Sequence, residues 1–288
     1  MKYYLKAPAT SANIGSGFDI FGIAIEFFNE FYFEKNEKSD EINISAKGKY
    51  SKYFDPNPLI KKSIEYFFKV TGIKRIGINI IEYCNIPHKR GLGSSASAIA
   101  ASLKIADFLT ETNLSDRDLV KIGVELEGHP DNILPCFLGG LVVSYYNEEK
   151  LDYEKFNIED YRLSFLIPEI EMSTEKMRNA LPREVSFNDA IYNLKNSLQF
   201  LSKISKGEYD AAFKYTNDML HQKYRILTNN KMVEIISQIE MNKDIKYWFL
   251  SGSGSTICFG SEKDNLFKSK NVIRRNVYNE SIKVLSAD

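Results

Sequence analysis

The stretch Pro87–Ser97 combines residue types that bind phosphate groups. Gly91 and Gly93 let the backbone approach a ligand closely, and a helix predicted to begin at Ser94 offers free N–H groups and the positive end of its dipole. Two adjacent basic residues add local positive charge to a chain whose 38 basic and 38 acidic residues otherwise balance. We therefore predict that this segment binds the phosphates of a nucleotide. The residues concerned are Pro87, His88, Lys89, Arg90, Gly91, Leu92, Gly93, Ser94, Ser95, Ala96 and Ser97.

Other interpretations of this segment stay open. A Walker A loop is excluded, because no GxxxxGK followed by Ser or Thr occurs in the chain. The dinucleotide pattern GxGxxG/A is met by Gly91–Ala96, but Pro87–Arg90 separates it from the preceding strand, and Glu111 follows a helix rather than a second strand. A dinucleotide-dependent oxidoreductase is one alternative, and a plain strand-to-helix turn capped by Ser94 is another.

Two further segments are rich in small and polar residues. Ala7–Asp19 reads Ala-Pro-Ala-Thr-Ser-Ala-Asn-Ile-Gly-Ser-Gly-Phe-Asp, and Leu250–Thr256 reads Leu-Ser-Gly-Ser-Gly-Ser-Thr. Taken singly, each is typical of a turn. Together with Pro87–Ser97 they resemble, in the same order, the three signature motifs of the GHMP kinases, a family that includes galactose, homoserine, mevalonate and phosphomevalonate kinases.

The first motif narrows the resemblance to one branch. Thr10 stands near a position that is basic in the mevalonate and galactose kinases, whereas Ser11–Gly15 and Glu127–Asn132 resemble the homoserine kinases. The resemblance implies transfer of the γ-phosphoryl group of ATP to the side-chain hydroxyl of L-homoserine, giving O-phospho-L-homoserine in threonine biosynthesis. The alternatives are a GHMP kinase for another small alcohol, such as mevalonate or shikimate, and a binding protein without activity.

The same resemblance implies roles for particular residues. Asp19 would bind the substrate ammonium and Asn13 would make polar contacts, while Arg178 and Arg225 would hold the carboxylate, a task that suits the planar guanidinium. Asn132 would lie beside the reacting hydroxyl. The catalytic candidates are Asn132, Asp131 and Asn13. Of these, Asp131 is a possible base, but we expect positioning and charge stabilisation to supply most of the catalysis.

Magnesium and ATP are the expected cofactors. The resemblance makes Ser95 and Glu127 the metal ligands. Glu127 also falls at the predicted C-terminal end of a helix, where the dipole disfavours a carboxylate and a cation would relieve the conflict. Beyond the glycine segment, the resemblance assigns Asn57, Gly252 and Ser253 to ATP binding.

Composition limits the remaining partners. The 288 residues include 43% hydrophobic and 26% charged residues, as in ordinary globular proteins. The balanced charge gives no reason to expect nucleic acid or an anionic membrane as a partner. Three dispersed cysteines and the lack of a long apolar run predict a cytoplasmic protein. The family resemblance adds the expectation of a homodimer.

The pattern of elements predicts an α+β architecture, because strands and helices are mixed in both halves. Strands are expected at Tyr3–Lys6, Glu30–Glu34, Glu41–Ser45, Gly77–Tyr83, Gly139–Tyr145, Leu163–Ile167, Tyr247–Leu250 and Thr256–Phe259, the last being the final strand. Helices are expected at Leu59–Val70, Ser94–Thr110, from Ser115 to Gly128, and at Ser173–Leu181, Phe187–Ser202, Tyr209–Leu220 and Lys231–Met241.

A loop is expected over Ala9–Gly17, and a domain boundary in the polar stretch Tyr146–Asp160. We place the two domains at residues 1–155, which would bind ATP, and 156–288. The resemblance implies the two-domain GHMP kinase fold: an N-terminal domain like domain 2 of ribosomal protein S5, with a left-handed βαβ unit, and a C-terminal ferredoxin-like α/β sandwich.

Overall fold

The computed structural model describes residues 1–53, 59–147, 150–263, 267 and 271–287, which form two β-sheets with helices packed against them. The strands are β1 (Tyr3–Ala12), β2 (Phe21–Asn36), β3 (Ile42–Lys47), β4 (Gly77–Tyr83), β5 (Leu141–Asn147), β6 (Lys150–Phe156), β7 (Arg162–Leu166), β8 (Ile245–Leu250), β9 (Ile257–Ser261), β10 (Val272–Asn276) and β11 (Val284–Ser286). The helices are α1 (Leu59–Thr71), α2 (Ser94–Thr110), α3 (Asp116–Glu127), α4 (Pro130–Leu138), α5 (Thr174–Asn179), α6 (Phe187–Ile204), α7 (Tyr209–Ala212), α8 (Gln222–Ile226) and α9 (Asn230–Met241).

The first sheet contains β1 to β6 and β11. Its main order is β11-β1-β2-β4-β3, and β5 pairs with the start of β2 and with β6. β3 and β4 are parallel and are joined by a segment that contains α1, whereas the other pairs are antiparallel. Strand β11 pairs with β1. The end of the described chain therefore returns to the sheet in which the chain began.

The second sheet has the order β10-β7-β9-β8, and every neighbouring pair is antiparallel. Counted from β7, this order is 4-1-3-2, the order of a ferredoxin-like sheet. Helices α5 to α9 occupy the chain between β7 and β8. Two sheets of this kind with their helices make an α+β structure, as the sequence predicts. The boundary between residues 155 and 156 stays a prediction; it lies at the end of β6.

Helix α2, whose N-terminus is predicted to bind phosphate, lies at the centre of the hydrophobic core beside the first sheet. Its small and aliphatic side chains, among them Ile99, Leu103 and Ile105, are fully buried. It packs against α1, α3 and β1. Because these neighbours surround it, the direction of α2 and the position of its N-terminus are fixed by the core.

Several predicted elements are confirmed. Helix α2 and strand β4 have the predicted bounds. The capping box that predicts the start of α3 is also present: Ser115 Oγ accepts a hydrogen bond from the backbone N–H of Asp118 at 3.2 Å, and Gly128 ends the helix in a left-handed conformation.

Other predictions are wrong. Ala9–Gly17 is not all loop, because β1 continues to Ala12 in register with β2. In the polar stretch Tyr146–Asp160, where the domain boundary stays a prediction, β6 pairs with β5, although the sequence indicates no strand there. Tyr209–Leu220 is α-helical as far as Ala212. Two further strands, β10 and β11, follow the one expected to be last. In the described part of the chain, no helix has the length and apolar character needed to cross a bilayer.

Candidate active site

The loop between β4 and α2 turns so that the N-terminus of α2 faces a cavity. Gly91 and Gly93 both adopt left-handed conformations, with φ of 74° and 64°. A Cβ atom on Gly91 would lie 2.1 Å from the carbonyl oxygen of Ser251, and one on Gly93 would lie 1.9 Å from Thr10 Oγ1. Both the conformation and the lack of space therefore require glycine at these two positions.

A cavity of about 240 Å³ brings together most of the predicted site residues. Those that line it are Asn13, Asp19, Pro87, His88, Lys89, Arg90, Gly91, Leu92, Gly93, Ser94, Ser95, Glu127, Asp131, Asn132, Arg178, Arg225, Gly252 and Ser253. Ala96 and Ser97 are fully buried in the body of α2 and do not line it. Asn57 lies outside the described residues.

Hydrogen bonds join the first and third motifs to the glycine loop. The backbone N–H of Gly252 donates to the carbonyl of Ala12 at 3.0 Å, and the hydroxyl of Ser251 donates to the carbonyl of Gly91 at 2.6 Å. Asn13 Nδ2 donates to the carbonyl of Gly252 at 3.0 Å. Segments 240 residues apart in sequence therefore form one wall of the cavity, and one N–H of the Asn13 amide is left for a ligand.

Asn132 is held in one orientation by its neighbours. Thr10 Oγ1 donates a hydrogen bond to Asn132 Oδ1 at 2.7 Å, and Asn132 Nδ2 donates to Asp131 Oδ1 at 3.3 Å. The amide thus turns its donor side away from Thr10. Asp131 is buried, and its pKa is raised to about 7 by that burial and, secondarily, by the charge of Asp19.

A cluster of charged side chains forms another part of the cavity wall. Arg178 binds Asp19 through two hydrogen bonds of 3.1 and 2.9 Å, and Arg225 Nη1 donates to the carbonyl of Gly252 at 2.8 Å. The ring of Phe18 lies beneath both guanidinium groups, with ring centroids 5.7 and 5.0 Å from their Cζ atoms. In the described residues, the buried Nε atoms of both arginines have no hydrogen-bond partner. The cluster can therefore bind an anion.

Ser95 and Glu127, the two predicted metal ligands, line the same cavity. Ser95 lies in the first turn of α2, and Glu127 is the last residue of α3, as predicted. Glu127 is only partly exposed, and its pKa is raised to about 7 by burial and then by the charge of Asp131. A hydroxyl and a carboxylate are hard oxygen donors that suit Mg²⁺, and a cation would offset the burial of the carboxylate. The two residues fit magnesium.

A second cavity of about 350 Å³ adjoins the first along the glycine loop. His88, Lys89, Ser94 and Ser95 line both cavities. Beyond these four, the second cavity is lined by the apolar and aromatic side chains of Tyr50, Tyr53, Leu59, Ile60, Ile86 and Ala98, together with Glu82, Cys84 and Glu171. A flat heterocycle suits this lining.

The sequence did not reveal every residue of the site. The sequence shows that Thr10 stands near a position that is basic in related kinases. Its hydrogen bond to Asn132 could not be predicted, because it depends on the tertiary fold. His129 and Thr174 line the cavity beside predicted residues, and Phe18 and His221 support the arginine cluster. Phe18 and His129 lie inside the motifs that resemble those of the family, and this position could have indicated a place in the site. No motif in the sequence includes His221.

The dinucleotide alternative loses its support. Glu111 follows the last residue of α2, at the opposite end of a 17-residue helix from the glycine loop. At 1.5 Å per residue, this separation is about 25 Å. Glu111 is therefore too far from the glycine loop to bind the ribose of a dinucleotide held there.

Comparison with known proteins places the chain among kinases. Residues 58–140 match the model of the GHMP kinases N terminal domain. A homoserine kinase of Thermotoga petrophila is 48% identical over 251 residues, which cover 87% of this chain and 88% of that protein. A homoserine kinase of Clostridium beijerinckii is 34% identical over 273 residues, covering 92% and 89%.

Solved structures show the same fold. The crystal structure of homoserine kinase from Cytophaga hutchinsonii superposes with a TM-score of 0.84 at 22% identity and covers 99% of this chain and 97% of that one. Mevalonate kinase of L. major, in complex with R-mevalonate, gives a TM-score of 0.71 at 14% identity, with 96% of each chain covered.

The tight contact at Gly93 can be tested by comparing two glycine substitutions. Gly207 has a φ of 72°, but a Cβ atom there would meet no atom of the described residues within 4 Å. We expect Gly207→Ala to lower the free energy of unfolding by about 1 kcal/mol, from backbone strain alone. Gly93→Ala should cost more than about 3 kcal/mol, because the loop must also move away from Thr10. Urea unfolding of both variants measures the difference, and equal losses would contradict the proposed contact.

Proposed function

Because the chain belongs to the homoserine kinase branch of the GHMP kinase family, we propose that it transfers the γ-phosphoryl group of ATP to the side-chain hydroxyl of L-homoserine. The observation that carries the proposal is a single cavity that joins the N-terminus of α2 to the cluster of Asp19, Arg178 and Arg225. The first feature suits a polyphosphate, and the second suits an amino acid.

In this proposal ATP spans the two adjoining cavities. The triphosphate lies against the glycine loop, where the free N–H groups of α2 and the positive end of its dipole meet the phosphate charge. Gly252 and Ser253 close the opposite side. The adenine occupies the apolar cavity beside Tyr53 and Ile86. Asn57 remains an expected adenosine contact on the strength of the family motif.

The charged cluster favours an amino acid as the acceptor. Arg225 and Arg178 offer guanidinium donors to a carboxylate, and Asp19 offers an acceptor to an ammonium group. A carboxylate has about four acceptor positions, so that Asp19 can bind an ammonium group while it keeps its bonds to Arg178. Mevalonate and shikimate lack an ammonium group and would leave this capacity unused, which favours homoserine over the alternative acceptors.

The transfer step depends mainly on positioning. The free N–H of Asn132 holds the homoserine hydroxyl, whose oxygen forms a bond to the γ-phosphorus while the bond from that phosphorus to the β–γ bridging oxygen breaks and ADP leaves. Asp131 lines the same cavity, and its pKa of about 7 suits it to take the hydroxyl proton. Asn13 ties the first motif to the third, and its second N–H is available for a polar contact with the substrate.

Ser95 and Glu127 would hold Mg²⁺. When bound, the ion supplies positive charge that offsets the charge of the phosphates. The half-buried Glu127 then pairs with a cation, which offsets the penalty that raises its pKa.

A homodimer and a cytoplasmic location are also part of the proposal. Phe187, Leu194 and Leu198 on α6 are 80%, 61% and 66% exposed, and Ile191 and Leu201 complete a spacing of four and three residues. This heptad spacing is typical of a helix that pairs with a second helix of the same kind.

The cytoplasmic location is proposed because Cys84, Cys136 and Cys258 are free thiols.

The assignment of the acceptor can be tested with a panel of alcohols. The purified protein is incubated with Mg-ATP and with homoserine, mevalonate or shikimate, and ADP and the phosphorylated product are measured. We expect turnover with homoserine well above that with the other alcohols. Turnover of mevalonate without turnover of homoserine would overturn the proposed substrate. ATP binding without a phosphorylated product from any alcohol would overturn the proposed kinase activity.

Replacing Arg178 tests the recognition of the carboxylate. Arg178→Ala removes both a guanidinium fork and the partner of Asp19, so we expect the KM for homoserine to rise by about 10- to 100-fold. The KM for ATP should change by less than about threefold. Arg183→Ala, at an exposed position outside the cavity, is the matched control and should leave both values unchanged. A larger effect on ATP than on homoserine would contradict the assignment.

Glu127 predicts a pH dependence with opposite signs in the free and metal-bound protein. In the free protein the pKa is raised from 4.5 to about 7, so the stability that neutral Glu127 contributes is complete below pH 4.5 and is lost as the pH rises through 7. Magnesium requires the ionised carboxylate, so the Mg²⁺ concentration for half-maximal activity should rise as the pH falls below 7.

Glu127→Gln is the variant that checks this. It should need more Mg²⁺ at every pH, and its free energy of unfolding should fall less between pH 4.5 and 7.5 than that of the unmodified protein. Magnesium titrations and urea unfolding at several pH values measure the two effects. An unchanged magnesium requirement would remove Glu127 from the metal site.

The α6 interface predicts that charge in the heptad disrupts the dimer. The double variant Leu194→Glu/Leu198→Glu should sediment as a monomer, because two carboxylates would face the partner helix. Met241→Glu introduces the same charge at a side chain that is 75% exposed on α9, and should leave the dimer intact. A monomeric unmodified protein at high concentration would refute the proposal.

A further inference from the structure

His221, in the turn that precedes α8, connects the arginine cluster to the first motif. It is fully buried. Its Nε2 lies 2.8 Å from the carbonyl oxygen of Gly15, and its Nδ1 lies 3.4 Å from Arg225 Nη1. The imidazole also stacks on the ring of Phe18, with centroids 5.1 Å apart. One side chain therefore contacts the substrate loop, a guanidinium group and the aromatic ring beneath it.

The contacts of His221 determine where its proton lies. The carbonyl oxygen of Gly15 can only accept a hydrogen bond, so Nε2 must carry the hydrogen. In a neutral ring Nδ1 then has a free electron pair, which can accept from the guanidinium of Arg225. Burial lowers the pKa of His221 to about 4, although Asp218 lies 3.7 Å from Nε2. The ring is therefore neutral near pH 7.

The backbone around His221 is fixed as firmly as the ring. Asp218 Oδ2 accepts hydrogen bonds from the backbone N–H groups of His221 and Gln222 at 2.8 and 2.7 Å, and its Oδ1 accepts from Asn193 Nδ2 at 2.7 Å. Asn193 belongs to α6, so the turn is attached to a long helix. The backbone of this turn cannot shift without breaking these bonds, and the ring itself is held by its contacts with Gly15 and Arg225.

The two hydrogens on Nη1 of Arg225 have separate acceptors. One is the carbonyl oxygen of Gly252 at 2.8 Å, and the other is Nδ1 of His221. Nη1 is then saturated, and the edge formed by Nε and Nη2 is left for a ligand. The buried Nε has no hydrogen-bond partner in the described part of the chain. Two parallel N–H groups on one edge of a guanidinium match the two oxygens of a carboxylate.

We propose that His221 is a positioning residue, which accepts a hydrogen bond from Arg225 and so presents the Nε–Nη2 edge of that arginine to the substrate carboxylate. This inference rests on the proposed function, because it assigns the cavity a substrate with a carboxylate. It assigns to His221 no contact with the substrate and no part in proton transfer.

Two substitutions separate the two nitrogens of the ring. In His221→Asn the amide oxygen can take the place of Nδ1, which keeps an acceptor for Arg225 and loses the bond to Gly15. In His221→Gln the amide nitrogen can take the place of Nε2, which keeps the bond to Gly15 and loses the acceptor. We expect the glutamine variant to raise the KM for homoserine by about tenfold, with the KM for ATP unchanged within about twofold, and the asparagine variant to keep both values near those of the unmodified protein.

A merely structural role would give a different pattern. The KM values do not depend on how much of a variant is folded, whereas kcat and the melting temperature do. If the two variants change the KM for homoserine equally, or if only the asparagine variant raises it, the proposal is wrong. A protein that turns over mevalonate and not homoserine would instead refute the proposed function, through the acceptor panel, without reference to these variants.

The unmodified protein provides a test that does not depend on the folding of a variant. With ¹⁵N-labelled histidine, the ring nitrogens of the three histidines can be resolved by NMR. His88→Asn and His129→Asn identify the signals of the other two rings, so that the remaining signals belong to His221. We expect the ring of His221 to be neutral at pH 7 and to carry its hydrogen on Nε2, with an Nδ1 signal that shifts when homoserine is added. If the ring of His221 does not show this state, or if its Nδ1 signal does not respond to homoserine, the proposal is overturned.

Discussion

The site depends on the contact of two glycines with the backbone and side chains of distant segments. Gly91 packs against the third motif and Gly93 against Thr10 of the first, at distances that leave no room for a Cβ atom. This packing brings the start of α2 into the same cavity as the first and third motifs. The buried body of α2 gives the arrangement its rigidity, because the helix is surrounded by α1, α3 and β1. The packing of the core therefore fixes the position of the helix N-terminus at which we propose that the phosphates bind.

The cavity contains acidic and basic side chains that are wholly or partly buried, and burial together with the neighbouring charges shifts their pKa values. Burial raises the pKa of both Asp131 and Glu127 to about 7, while burial lowers the pKa of Arg225 to about 10. Three non-glycine residues that line the cavity are in left-handed conformations: Asn13, Asp19 and Lys89 have φ of 70°, 58° and 51°. Strain and unfavourable burial of this kind persist where the surrounding structure enforces them, as the hydrogen bonds among the three motifs do here.

Local signals in the sequence predicted what local forces determine. The bounds of α2 follow from its run of small and aliphatic residues, and the start of α3 follows from its capping box. Strand β6 was missed because Lys150–Phe156 is polar and gains its structure by pairing with β5, a partner that composition does not reveal. Site residues within motifs were found from the motifs. His221 could not be found, because its role arises from contacts with Gly15 and Arg225, and these form only when the chain has folded.

Thr10 shows how the fold adapts the site to its chemistry. A basic side chain near this position would offset part of the negative charge of the transferred phosphoryl group, whereas the neutral side chain of threonine does not. The hydroxyl instead donates to Asn132 Oδ1, and the amide nitrogen, which donates one hydrogen to Asp131, keeps its other N–H for the substrate hydroxyl in our proposal. Neutralisation of the phosphate charge must then come from elsewhere. The end of α2 and the basic residues of the glycine loop line the cavity, and the cation that we propose at Ser95 and Glu127 would add to them. A neutral, orienting pair of Thr10 and Asn132 is consistent with catalysis by positioning, since an oriented hydroxyl close to a well-neutralised phosphoryl group needs little further activation.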